Sequence, residues 1–156
     1  MTLFCGWGEL KELGTCEPWG EKSNPEWRKA DEVDFLNIID LLRALELDTV
    51  KNDKKKELYV RHSIWWAFND RVRANKPLYK DNEEVLWKQN CLRLIELYDD
   101  TTDINQKITV AELYRNLGEF EICMELINSL DNEFDWLIET FKVECENKNK
   151  LLKKIR

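Results

Sequence analysis

From about residue 31 onward, apolar residues recur at the i, i+3, i+4, i+7 spacing of a helix face. Phe35, Ile38, Ile39, Leu42 and Leu45 form a wide stripe, predicting a helix that starts at an Asp31 cap and runs to about Leu47. Lysines at 51, 54, 55 and 56 then mark an exposed loop. A second helix is predicted over about 54–74, stopped at the Ala-Asn-Lys-Pro turn because the residue before a proline disfavours helical geometry. Asp81 with Glu84 three positions later is a capping-box-like start for a third helix carrying Val85, Leu86, Leu92, Leu94, Ile95 and Leu97. Two shorter stripes share residues 108–130. A last helix is predicted over about 133–155, capped by Asp131 or Asn132, with its terminal lysines set against the negative end of the helix dipole. The pattern predicts an all-α fold, a bundle of about six helices.

The segment 108–130 reads as an antiparallel hairpin. Val110, Ala111, Tyr114 and Leu117 fall on one helix face, Gly118 supplies the positive φ that ends helices, and Phe120, Cys123, Met124 and Ile127 begin a second stripe at once. With so short a turn the two helices must pack antiparallel, Tyr114 and Phe120 filling the gap at the bend. This unit resembles the tetratricopeptide repeat. That family places a small residue, a tyrosine three positions on, a turn glycine four after that and an aromatic two further, as Ala111, Tyr114, Gly118 and Phe120 stand here. Cys123 occupies a position where the family has a small helix-contact residue. Lys107 departs from the family's early tryptophan, Leu130 replaces a small residue, and no proline closes the unit. No second copy lies 34 residues to either side of Tyr114, and an array needs roughly three or more repeats. The resemblance therefore implies a single repeat-like hairpin docked on other helices; two ordinary helices of a bundle account for the same pattern.

Glycine and proline divide the chain. Four of five glycines and two of three prolines lie in the first 25 residues, predicting an irregular arm over 1–30 and one helical domain over 31–156. Three of the seven tryptophans, Trp7, Trp19 and Trp27, sit in that arm. Such rings are poorly accommodated in water, so the arm is expected to pack on the helical body, or else to insert into a partner. A chain of 156 residues, 43% apolar and 35% charged, suits one globular domain burying roughly 70% of its unfolded surface. No apolar run approaches the roughly 20 residues of a membrane helix, and the first residues lack the basic start and apolar core of a secretory signal. Five cysteines form an odd set without a CxxC pair, as reduced thiols do, and a cytoplasmic location is expected.

Candidate chemistry concentrates on the second helix. There Arg61, His62, Trp65, Asn69, Asp70 and Arg73 mix polar groups with large rings, with Arg61 and Asn69 one turn to either side of Trp65. Buried polar groups must be hydrogen-bonded, so the cluster either ties helices together or lines a pocket. His62 is the only histidine, and beside tryptophans it reads as a core or boundary residue. No phosphate loop, nucleophile elbow, HExxH or paired ExxH is present, and no carboxylate is singled out, so no catalytic residue is assigned. Cys5 and Cys16 are too far apart for half a zinc site, and Cys91 and Cys123 read as small core residues; neither metal nor cofactor is expected.

Charge adds a direction. Between Glu96 and Glu146 fourteen acidic residues face three basic ones, in a chain of net charge −7. A negative field of this kind attracts basic proteins and repels phosphate backbones, so nucleic-acid and membrane partners are not expected. Glu112, Glu119, Glu121 and Glu125, with Trp7 and Trp19 of the arm, are the candidate protein-binding residues. The expected function is a non-enzymatic interaction module, of which an inhibitor or immunity-type protein binding a basic partner is a concrete form. The alternative is a small-molecule-binding or catalytic domain built on Arg61, Trp65, Asn69 and Asp70.

Overall fold

Each helix of the structure, a computed structural model describing residues 36–98, 102–130 and 134–151, starts and stops for a local reason. The first, α1 (Ile38–Ala44), opens with a reciprocal cap. Asn37 Oδ1 accepts from the N–H groups of Ile39 and Asp40, and the Asp40 carboxylate accepts from the Asn37 N–H. The expected start at Asp31 and the stripe residue Phe35 lie outside the described residues. Within them the helix ends at Ala44, short of Leu47, and a four-residue helix, α2 (Asp48–Lys51), follows. The stripe is also rotated from its expected position, with Ile38, Leu41 and Ala44 buried and Ile39 exposed.

The lysines expected in a loop belong to helices. Lys51 closes α2, and Lys54, Lys55 and Lys56 form the first turn of α3 (Lys54–Arg73), because the Asp53 carboxylate accepts from the Lys55 and Lys56 N–H groups. The box expected at Asp81 does not form. Asp81 adopts a φ of 42°, and α4 (Glu83–Leu97) begins instead where Glu83 accepts from the Lys80 N–H at 2.7 Å and pairs with Arg71 at the end of α3. One carboxylate thus serves both as helix start and as a clamp across the turn.

The core of α4 differs from the expected stripe. Trp87, Cys91 and Leu94 are buried, whereas Val85, Leu86 and Leu92 are exposed. Trp87 stacks edge-on against Phe68 of α3 with ring centres 5.3 Å apart, a contact worth about 1 kcal/mol beyond the area buried.

The hairpin forms as α5 (Ile104–Leu117) and α6 (Phe120–Asn128). Gly118 sits at φ 94°; its N–H donates to the Arg115 carbonyl and that of Glu119 to the Tyr114 carbonyl, which closes the helix end. Tyr114 and Phe120 both pack on the hairpin's core, as the spacing predicts. The last helix, α7 (Asp135–Glu146), is shorter than its pattern. Its expected cap residues, 131 to 133, lie outside the described residues. At its other end Lys148 takes a φ of 51°, and the chain leaves the helix to dock against α5, so Lys148 and Lys150 are not helical, while Lys153 and Lys154 lie outside the described residues.

Seven helices and no strand are present among the described residues, six of them of seven residues or more, in an all-α bundle. Packing follows chain order: α1 and α2 rest on α3, α3 on α4, α4 on α5, α5 on α6 and α6 on α7. Two apolar cores result. One joins α1 to α4 and takes Leu113 from α5; the other joins α5, α6 and α7 around Ala111, Cys123, Ile127, Leu137 and Phe141. Because α5 contributes to both, it is the element on which the two halves meet.

Candidate functional site

The six residues of the predicted cluster on α3 are dispersed among separate environments. Arg61 is drawn into an ion network: its Nε donates to Glu57 at 2.7 Å, and Arg93 of α4 approaches the same carboxylate through two nitrogens. Asn90 of α4, buried, donates to the Arg61 carbonyl. Arg93 first, and Arg61 beside it, hold the Glu57 carboxyl down to about 2 against an opposing push from burial. Trp65 faces the other way, its indole N–H donating to Asn116 Oδ1 of α5 at 2.9 Å. Asn69 is buried with its Nδ2 unpartnered, while Asp70 and Arg73 form an exposed ion pair with each other.

Asn116 and Arg115 extend the network to the end of the described chain. Asn116 Nδ2 donates to the Lys150 carbonyl at 2.8 Å; the Arg115 guanidinium donates to the Asn149 and Leu151 carbonyls and pairs with Glu112. These contacts explain why Glu112, expected on the outer face, turns inward: it neutralises an arginine that is only 3% exposed. It is therefore not part of an accessible acidic surface.

His62 lines a depression. With Lys55, Leu58, Tyr59, Trp66 and Tyr98 it bounds an open, mainly apolar groove of about 400 Å³. Its Nε2 is paired with the Tyr98 hydroxyl, and its Nδ1 is buried without a partner. Burial lowers the His62 pKa and raises that of Tyr98, so the neutral forms of both are favoured at neutral pH.

The remaining predicted residues lie on the hairpin and beyond. Glu119, Glu121 and Glu125 are exposed, while Trp7 and Trp19 lie outside the described residues. A contrast in pairing separates this surface from the rest. Between α1 and α4, Asp40, Glu46, Glu57, Glu83, Glu84 and Glu96 each hold a lysine or arginine. On α6 and α7, Glu119, Glu121, Glu125, Asp135, Glu139 and Glu146 are exposed and have no ion pair among the described residues. Two of these couples, Glu121 with Glu125 and Asp135 with Glu139, stand four apart on one helix, a like-charge spacing that costs a few tenths of a kcal/mol each.

Apolar residues interrupt the acids. Trp136, 59% exposed, and Val143 lie on the outer side of α7 in register with Glu139 and Glu146, and Ile122 is exposed on α6. Sequence reasoning passed over them. The signal was present in the second stripe of α7, where 136, 139, 143 and 146 repeat at helical spacing on the side opposite Leu137 and Phe141.

No group of three or more His, Cys, Asp or Glu is placed to hold a metal ion among the described residues, and no helix there is long and apolar enough to cross a membrane. No family model, curated protein or solved structure matches the chain.

Proposed function

We propose that this protein is a non-enzymatic interaction module whose α6–α7 surface receives a basic protein. The observation that carries the reading is the set of six exposed carboxylates on these two helices that have no ion pair among the described residues, where most of the other described carboxylates are matched to cations. A fold gains nothing for its own stability from like charges spaced four apart. A cationic partner reverses the sign of that term, and the field speeds its approach. Trp136, Val143 and Ile122 supply apolar contact between the acids, the combination of anchor and charged rim that protein interfaces use. An inhibitor of a basic protein, in the manner of an immunity protein, is the concrete form of this reading, and the cytoplasm is the location it implies. Affinity capture from native lysate tests it. A retained protein of net positive charge that elutes as salt rises from about 50 to 300 mM supports the reading; retention of nothing, or only of salt-insensitive species, counts against it.

A second reading has one observation behind it, the aromatic groove beside His62. There a small apolar or aromatic molecule would lie against Trp66, Tyr59 and Tyr98. None of Arg61, Trp65, Asn69 or Asp70 lines this groove. A compound that raises the melting temperature of the wild type but not of Trp66→Ala would favour it.

A further inference from the structure

Cys123 of α6 and Cys145 of α7 lie side by side in the second core. Their sulfurs are 3.7 Å apart, and the two residues are 0% and 8% exposed. Nothing in the proposed interaction surface uses them. A disulfide needs the sulfurs at about 2.05 Å, so closing the gap takes a movement of under 2 Å, within reach of side-chain rotation and a small approach of two helices that already touch. Cys91, also buried, lies in the other core, and no comparable sulfur faces it among the described residues.

We propose that Cys123 and Cys145 are an oxidisable dithiol that closes to an intramolecular disulfide, fastening α7 to the hairpin. A peroxide is the class of oxidant the step takes. Cys145, the more exposed sulfur, attacks one peroxide oxygen as its proton leaves; the O–O bond breaks, and a sulfenic acid and one water result. The Cys123 sulfur then displaces the sulfenic hydroxyl, forming the S–S bond and releasing a second water. Two thiols and one hydrogen peroxide become one disulfide and two waters. Burial keeps both sulfurs protonated in the closed state, so the reaction proceeds through openings of α7 and is slow beside that of an exposed thiol. The product closes a loop between residues 123 and 145, and the melting temperature rises by about 5–10 °C.

Peptide mapping of the full-length protein provides the test. The folded chain is treated with hydrogen peroxide, alkylated under denaturing conditions and digested with trypsin, which separates the two cysteines into peptides 116–142 and 143–148. The expected result is one linked pair of these peptides, 2 Da lighter than their sum, from protein that stays monomeric on a non-reducing gel, together with the melting-temperature rise. The rise is expected to vanish in Cys145→Ser. Recovery of both peptides alkylated as free thiols, or of either linked to another cysteine, overturns the proposal. The mapping is done on the wild type, so it stands whether or not a cysteine variant folds.

Discussion

Replacing Asn116 with alanine removes a side chain that ties α5 to α3 and to the segment after α7. Asn116 is 5% exposed; its oxygen accepts the Trp65 indole N–H at 2.9 Å and its nitrogen donates to the Lys150 carbonyl at 2.8 Å. Each bond contributes about 1 kcal/mol net, and leaving the buried Trp65 N–H unpartnered adds about 1 kcal/mol more, whereas water can reach the Lys150 carbonyl of an exposed residue. The expected loss is about 3 kcal/mol, a fall of about 6–12 °C in melting temperature for a chain of this size. Trp65→Phe removes only the donor and trims the ring, and is expected to cost about 2–3 kcal/mol. The two changes share one hydrogen bond, so the double variant should be less destabilised than the sum by about 1–2 kcal/mol. Urea unfolding followed by helical circular dichroism supplies all three values without relying on tryptophan emission. Costs that add to within about 0.3 kcal/mol would refute the argument, because residues that do not touch behave that way.

Two further outcomes follow from single residues. The folded-state pKa of Glu57, about 2, is below its ordinary value, so its stabilisation is complete above about pH 4.5 and is lost as pH falls toward 2; Glu57→Gln should be less stable at pH 7 and should flatten the stability profile in that window, as denaturant melts at pH 7 and pH 3 would report. Gly118→Ala forces a side chain into a φ of 94° against the end of Lys150, and should lower stability by about 1–2 kcal/mol in the same melts while leaving the helical signal intact.

Helix type and order were legible in the sequence because spacing alone specifies them. The hairpin was the clearest case, since Gly118 punctuates it and the stripes on either side are short and unambiguous. Helix ends were less legible where a polar side chain far along the chain decides them. The apolar pattern runs past Glu146, but Arg115 and Asn116 of α5 capture the carbonyls of Asn149, Lys150 and Leu151 and draw the chain off the helix. Leu92 and Val85 misled for a related reason: α4 packs on both α3 and α5, and the face that Trp87, Cys91 and Leu94 share does not coincide with its densest run of leucines.

The candidate sites divide in the same way. That Arg61, Trp65 and Asn69 were unusual could be read from their mixture of rings and polar groups, but Asn90 of α4 and Asn116 of α5, which draw Arg61 and Trp65 apart, stand 29 and 51 positions away. Glu112 illustrates the limit of counting charges. Four glutamates on the hairpin look equivalent in sequence, and only the burial of Arg115 separates the one that turns inward from the three that do not.

The carboxylates that remain outside carry the proposed function, and one comparison addresses them directly. Wild-type protein and the triple variant Glu119→Lys, Glu121→Lys, Glu125→Lys, shown by circular dichroism to be equally helical, are used side by side to capture proteins from the same native lysate at about 50 mM salt. The account predicts that a basic protein retained by the wild type is lost from the variant by at least about tenfold, the effect of removing about 1.4 kcal/mol of binding. Equal retention of that protein by both, or no basic protein on the wild type, would contradict it.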